Sequence, residues 1–277
     1  ARIVAVTGSV GKTSTKEALR HVLAAQGETH ASVASYNNHW GVPLTLARMP
    51  ADCAFGVFEI GMNHAGEITP LTAMVRPHVA VVTTVAPVHL EFFRDVDAIA
   101  EAKAEIFSGL EPGGAAVVDG DVAQAGILVA AAEAKGARVV RFGIGEGFEA
   151  HLERASLQAE TSTVMATILG EAITYKIGAP GRHVVKNSLA VLATAKLVDA
   201  DLARAGMALA AMAPPKGRGE RHVLKLGHGE ALLIDESYNA NPASMKAAID
   251  LLGHTPVGFD GRRIAVLGDM LELGPQG

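Results

Sequence analysis

Lys12, Glu59, His89 and Lys103 are the residues whose types and positions point to chemistry on a phosphate. Lys12 stands in Val6-Thr7-Gly8-Ser9-Val10-Gly11-Lys12-Thr13-Ser14, a glycine turn between an apolar strand and a helix. Unpaired backbone N–H groups and the positive end of the helix dipole face outward at such a turn. Gly8 and Gly11 let the backbone approach an anion, and Lys12 adds a full positive charge. The Thr13 hydroxyl is placed to ligate a magnesium ion bridging phosphates. Only Ser9 and Val10 separate Gly8 from Gly11, so the loop is a shortened variant of the usual pattern. A glycine turn with a surface lysine would explain Gly-x-x-Gly alone, but strand, Lys-Thr-Ser and helix together indicate nucleotide binding.

The other three residues each allow two readings. Glu59 ends a buried strand, where an acid is costly unless it meets a cation; it is a candidate magnesium ligand or a contact to a helix N-terminus. A lone His89 is an ordinary surface or core residue by itself. However, the phosphate loop, Glu59 and His89 all follow the carboxyl ends of successive apolar strands, where open parallel sheets place their ligands. Lys103 lies four residues after Ile99 and four before Phe107, so its stem falls in the apolar stripe of a helix. It either snorkels at the edge of that stripe or is a functional lysine aimed into the site.

The elements that must position these residues alternate between strand and helix. Strands are expected at 3–6, 29–33, 53–60, 79–85, 115–118 and 138–142, with a helix after Lys12 that Gly27 stops, another at 95–110 and an alanine-rich one between the last two strands. Residues 35–43 read as a polar, aromatic loop in which Asn37 and Asn38 form a turn. From 155 to 177 the Thr, Val and Ile content suggests antiparallel strands added to a mostly parallel sheet. Helices follow at 184–198 and from an Asp201 cap through 212. Ala213-Pro214-Pro215-Lys216-Gly217-Arg218-Gly219-Glu220-Arg221 reads as a linker, with a domain boundary near 213–235. Its arginines are solubilising charges or phosphate clamps. Beyond it, a strand at 231–234, a helix at 243–252 and a strand at 264–267 open a second α/β domain.

Composition narrows the partners. At 277 residues the chain fits one large domain plus part or all of another, and 49% hydrophobic content gives it a real core. A net charge of −5 supplies no global basic field, so nucleic acid is not expected as a partner. Cys53 is the only cysteine, which excludes an internal disulfide or a cysteine metal cluster. With no long apolar run and no basic-then-apolar leader, membrane insertion is not expected and a cytoplasmic location is. Both ends are expected to be cut, and a monomer is expected.

Together these segments resemble the Mur ligases of peptidoglycan synthesis, most closely the type that adds D-alanyl-D-alanine to UDP-N-acetylmuramoyl-tripeptide. The resemblance rests on the phosphate loop, Tyr36-Asn37-Asn38 with Gly41-Val42-Pro43-Leu44-Thr45, Glu59-Ile60-Gly61-Met62-Asn63, and His89-Leu90-Glu91. It continues in Ala102-Lys103-Ala104-Glu105-Ile106-Phe107, Gly181-Arg182-His183 with Asn187, Gly217-Arg218, and Ile234-Asp235-Glu236-Ser237-Tyr238-Asn239-Ala240-Asn241-Pro242. It implies an α/β fold: a P-loop ATPase central domain over 1–222 and the beginning of a Rossmann-like domain over 223–277, without the family's N-terminal UDP-binding domain. Ser9-Val10 replaces a common Thr-Asn, Thr84 stands where Asn is common, and Glu236 is the second acid of an Asp-Asp pair. This leaves open which of Asp235 and Glu236 faces the nucleotide.

The resemblance also implies the chemistry. ATP would convert the tripeptide carboxylate to an acyl phosphate, which the amine of D-Ala-D-Ala then displaces. ATP would lie on Gly8, Ser9, Val10, Gly11, Lys12, Thr13, Ser14 and Asn38, with Asn187 and Arg218 on its phosphates. Asp235 or Glu236, Tyr238, Asn239 and Asn241 would meet base and ribose. Thr13 and Glu59 would hold one magnesium ion and His89 a second, with Lys103 as a carbamate. Another amide ligase of the superfamily, such as a folylpolyglutamate synthase, is the nearest alternative. A nucleotide-operated switch or a non-catalytic nucleotide-binding module are the others. Residues 1–277 alone are expected to bind ATP weakly and ligate nothing.

Overall fold

The computed structural model describes residues 1–88, 91–227 and 229–270. Its centre is a nine-stranded sheet in the order β2-β3-β1-β4-β5-β6-β7-β8-β9. The strands are β1 (Arg2–Thr7), β2 (Thr29–Ala31), β3 (Phe55–Glu59), β4 (Val79–Val82), β5 (Ala115–Asp119), β6 (Arg138–Gly143), β7 (Ala150–Leu157), β8 (Ser162–Ile168) and β9 (Glu171–Ile177). Pairing is parallel from β2 through to β7 and antiparallel from β7 to β9, a mostly parallel sheet with added antiparallel strands.

The inner strands carry no polar alternation because helices cover both faces. On one face α1 (Lys12–Ala24), α6 (Arg182–Leu197) and α7 (Leu202–Leu209) pack over Val4, Val6, Val81 and Val117. On the other, α3 (Ile68–Val75), α4 (Val96–Ala104) and α5 (Ala125–Glu133) pack over Ala5, Phe58, Val82 and Val118. Asp201 caps α7 as its type and position imply, accepting from Arg204 N at 2.7 Å.

The order places β1 between β3 and β4, so the chain reverses direction across the sheet at the carboxyl end of β1. That switch point is where such sheets hold ligands. Register brings its parts level: Val6 lies beside Glu59, and Thr7 beside Val82.

Several elements differ from expectation. The helix expected over 95–110 ends at Ala104 and tightens into a 3-10 turn over Glu105–Gly109. The end of the aromatic loop belongs to α2 (Gly41–Ala47), and α3 begins just past Gly66-Glu67, where no helix was anticipated. Only the end of the expected linker, Glu220 and Arg221, enters a strand: β10 (Glu220–Leu226) pairs antiparallel with β11 (Gly229–Asp235) in a separate two-stranded sheet. The division at residue 222 therefore falls inside β10. After β11 comes α8 (Pro242–His254), closed at its start by a capping box between Asn241 and Ser244.

The strand expected over 264–267 does not form; Ile264, Val266 and Leu267 are 70%, 92% and 59% exposed. A strand needs a hydrogen-bonding neighbour, and no described residue pairs with this segment.

Candidate active site

The phosphate loop is built on two glycines that no other residue can replace without moving the backbone. Gly8 has φ 149°, and a Cβ there would sit 2.0 Å from Thr83 Oγ1; Gly11 has φ 86°, and a Cβ there would sit 2.9 Å from Asn187 Nδ2. The strand after the switch point fastens the loop. Thr83 Oγ1 donates to Val10 O at 2.6 Å, Ser9 N donates to Thr84 O at 2.9 Å, and Ser9 Oγ donates to Ala86 O at 3.0 Å. Lys12 Nζ donates to Gly8 O at 2.8 Å, folded over the loop it serves. Desolvation in the cleft pulls the Lys12 pKa down, opposed by the Glu59 carboxylate and helped by Arg218.

Glu59 is 1% exposed. Its Oε1 accepts from Asn37 Nδ2 at 2.8 Å, while its Oε2 is buried with no partner among the described residues. A carboxylate oxygen in that state is costly unless a cation is supplied. Thr13, 7% exposed in the first turn of α1, adds a hydroxyl, so oxygen donors suited to a hard divalent cation stand at the phosphate loop.

Lys103 is not a snorkelling residue. It is 2% exposed near the end of α4, its pKa is held well below the ordinary lysine value by burial and then by Lys12, and no carboxylate or carbonyl among the described residues pairs with it. The result is a buried amine that favours the neutral form beside the phosphate loop. His89 lies outside the described residues.

The second unit meets the loop across a cleft of about 1070 Å³ whose walls include Ser9, Lys12, Asp235, Glu236, Asn239 and Asn241. Arg218 enters electrostatic range of Lys12 and Glu236, and its guanidinium lies 4.3 Å from the Tyr238 ring centroid. Tyr238 also shares a hydrogen bond with Ser35. A narrower cavity beside the loop is lined by Ser14, His183, Asn187, Arg218 and Glu236, and burial depresses the His183 pKa.

Glu236 faces Gly219 and Arg218, whereas Asp235 accepts from Ser237 N at 2.9 Å and lies opposite Glu220 in the hairpin. Asn239 accepts from Ala240 N, and Asn241 is occupied as the α8 cap. Asn38 is likewise taken up locally, its Oδ1 accepting from Trp40 N at 3.1 Å and Gly41 N at 3.0 Å at the head of α2.

Three polar features escaped the sequence. Asn37, read as a turn residue, holds Glu59. Lys16 is fully buried, donating to Ser32 O at 2.8 Å and Ala34 O at 2.9 Å and pairing with Glu17. Asp119, at the end of β5 and 0% exposed, pairs with Lys186 at 2.7 Å. The reasoning that singled out Glu59, an acid ending a buried strand, applies equally to Asp119.

The sequence profile of the Mur ligase middle domain matches residues 6–195. The chain belongs to the Mur ligase family. Relatives named UDP-N-acetylmuramoyl-tripeptide–D-alanyl-D-alanine ligase include those of Escherichia coli K12, 36% identical over all of this chain and 59% of their own, and Bacillus subtilis 168, 36% identical over 99% and 57%. Among solved structures, MurF from Acinetobacter baumannii superposes with a TM-score of 0.90 at 30% identity, covering 99% of this chain and 58% of that one. MurF from Thermotoga maritima in complex with ADP gives 0.82 at 26%, covering all of this chain and 61% of that one. Thus this Mur ligase chain spans less than two thirds of the length of the relatives it matches. Lactobacillus casei folylpolyglutamate synthase, at 18% identity and a TM-score of 0.69, shares the fold alone.

Proposed function

We propose that this chain carries the ATP-binding centre of a cytoplasmic, monomeric ligase that joins D-alanyl-D-alanine to UDP-N-acetylmuramoyl-tripeptide through an acyl phosphate. The observation that carries the reading is the buried Oε2 of Glu59, without a partner among the described residues, beside a phosphate loop in a chain whose relatives bear that activity in their names. No helix among the described residues is long and apolar enough to cross a membrane.

In this reading the loop N–H groups of residues 8–14 and Lys12 bind the β and γ phosphates of ATP, with Asn187 and Arg218 on the same charge. Thr13 and Glu59 hold one magnesium ion, and His89 with a carbamylated Lys103 a second. Bound there, magnesium supplies charge that offsets the negative oxygens of the transferring phosphoryl group. The tripeptide carboxylate attacks the γ-phosphorus and ADP leaves. The amine of D-Ala-D-Ala then attacks the acyl carbon, phosphate departs, and the amine loses a proton. Fixed cations contribute most at the charge-spread transition state because they need no reorganisation when it forms.

Burial of Lys103 supports the carbamate. Burial shifts the Lys103 amine toward its neutral form, whose free lone pair can add to carbon dioxide with release of one proton, giving an anionic oxygen donor. Glu236 rather than Asp235 would face the nucleotide phosphates, with Tyr238 beside Arg218, while Asn239 and Asn241, which line the cleft, would meet the base and ribose. Asn38 would act through its cap on α2.

The test is ADP release by the full-length protein. It should require both UDP-N-acetylmuramoyl-tripeptide and D-Ala-D-Ala and yield one amide product per ADP. Release driven by a folate and glutamate, or by a macromolecule without amide product, would overturn the assignment.

A further inference from the structure

Lys186 sits in the second turn of α6, where a cation opposes the helix dipole, so its type is not explained by the helix. It is explained by two acids on other elements. Its Nζ lies 2.7 Å from Asp119 Oδ1 and 3.1 Å from Asp121 Oδ2. The Lys186 side chain is 21% exposed and that of Asp119 is 0% exposed.

The cluster is firmly built. Asp119 Oδ1 also accepts from Asp121 N at 3.0 Å, and Asp121 accepts from Ile144 N and Gly145 N at 2.9 and 3.1 Å. Gly143 leaves the room for it, since a Cβ there would lie 2.6 Å from Asp121 Oδ2. The end of β5, the turn after β6 and the start of α6 are thereby joined at one ammonium.

The residue after Lys186 is Asn187, whose amide lies against Gly11 of the phosphate loop. On the other side, Ser9 N bonds to the backbone of Thr84, whose hydroxyl lies beside Asp119. A ring of contacts thus runs from loop to Thr84, Asp119, Lys186, Asn187 and back to the loop.

We propose that Lys186 is a positioning residue for the nucleotide: by anchoring α6 to Asp119 and Asp121 it fixes the Asn187 amide at the phosphate loop. The inference rests on the nucleotide reading above and adds to it a residue that touches no substrate. Its rival is that Lys186 only neutralises a buried acid. The two differ in what happens when both charges are removed together.

The experiment measures kcat and KM for ATP, and thermal unfolding, in the full-length protein. Lys186→Met should raise KM for ATP about tenfold, with a smaller change in kcat, because a small misplacement near a bound phosphate is costly. Lys186→Arg, which keeps the anchor, should recover most of that loss. Asp119→Asn combined with Lys186→Met leaves no buried unpaired charge, so it should regain thermal stability while KM stays high. Adding Asn187→Ala to Lys186→Met should cost little more, since one acts through the other. If the double neutral variant regains wild-type KM together with stability, or if Lys186→Met leaves KM unchanged, the positioning role is overturned while the nucleotide reading stands. A wild-type protein that neither binds nor turns over ATP would overturn both.

Discussion

The two walls of the cleft are made differently. On the phosphate side, polar groups are buried: Thr83, Ser9, Glu59 and Lys103, with half-buried Asn37 bonded to Glu59, sit among strands whose core residues Val6, Phe58 and Val81 are 0% exposed. On the opposite side α8 buries no residue, and Val223, Leu226 and Leu233 of the hairpin are 64%, 61% and 47% exposed. Yet Arg218, Glu236 and Tyr238 come from that loosely packed side. Preorganised charge stabilises a transferring phosphoryl group best when it need not move, so the groups that meet the phosphates belong on the rigid wall. In the proposed reading the other wall supplies Arg218, Glu236 and Tyr238 to the nucleotide.

The largest break in that comparison is Lys12→Ala, which deletes the cation of the rigid wall. Turnover of ATP by the full-length protein should fall by about a thousandfold. The fold should survive, because the deleted charge is one that desolvation already penalises. Unchanged ADP formation would remove the phosphate loop from the chemistry.

Packing gives the next contrast. Phe58→Ala opens a cavity under the sheet and should cost about 3–5 kcal/mol in denaturant unfolding, whereas exposed Leu233→Ala should cost less than about 1 kcal/mol. Equal costs would mean that the second wall is as tightly packed as the first.

Lys103→Met follows, with effects of opposite sign on activity and stability. If the amine carries a carbamate, Met removes an anionic oxygen donor and should lower turnover about a hundredfold at limiting magnesium. A Lys103→Ala variant should be partly rescued by a small added carboxylic acid. Because the folded-state pKa is depressed, the unfolded chain binds more protons between the two pKa values, so the lysine's contribution to stability improves as pH rises through that window. At neutral pH the unmodified buried amine is therefore destabilising, and Lys103→Met should raise the melting temperature relative to wild-type protein kept free of carbon dioxide. Wild-type turnover in that variant would make the residue structural. Absence of a carbamate signal in carbon-13 spectra after labelled bicarbonate would remove the modification.

The rigid wall was the more legible in sequence, for a physical reason. Buried strands read as unbroken apolar runs and a buried helix face as an apolar stripe, and a charge that ends the one, as Glu59 does, or interrupts the other, as Lys103 does, stands out against them. Asn37 did not stand out, because an asparagine in a loop is ordinary until the fold brings Glu59 2.8 Å from it. Lys186 was hidden similarly: a lysine on a helix is unremarkable until Asp119, distant in sequence, is placed beneath it. The loose wall misled more. Glu220 and Arg221 read as the end of a linker, with no strand expected over 222–226, and only pairing with β11 makes the stretch one. Conversely, residues 264–267 have strand composition but find no pairing partner among the described residues, and composition alone cannot form a ladder.

The smallest predicted effect lies where the walls touch. Tyr238 makes one contact across the cleft, a hydroxyl hydrogen bond with Ser35, and one on its own side, a ring face under the Arg218 guanidinium at 4.3 Å. Tyr238 is exposed and Ser35 half-buried, so water still reaches the hydrogen bond, and Tyr238→Phe should raise KM for ATP by no more than about threefold. The ring contact does more, because it holds a planar cation in one orientation toward the phosphates. Tyr238→Ala removes both contacts and should raise KM about tenfold, and Arg218→Lys, which cannot stack its charge in the same way, should make Phe and Ala at position 238 nearly equivalent. Equal KM values for Tyr238→Phe and Tyr238→Ala with Arg218 intact would show that the stack does not aim the guanidinium, leaving the Ser35 hydrogen bond as the only functional contact of this tyrosine.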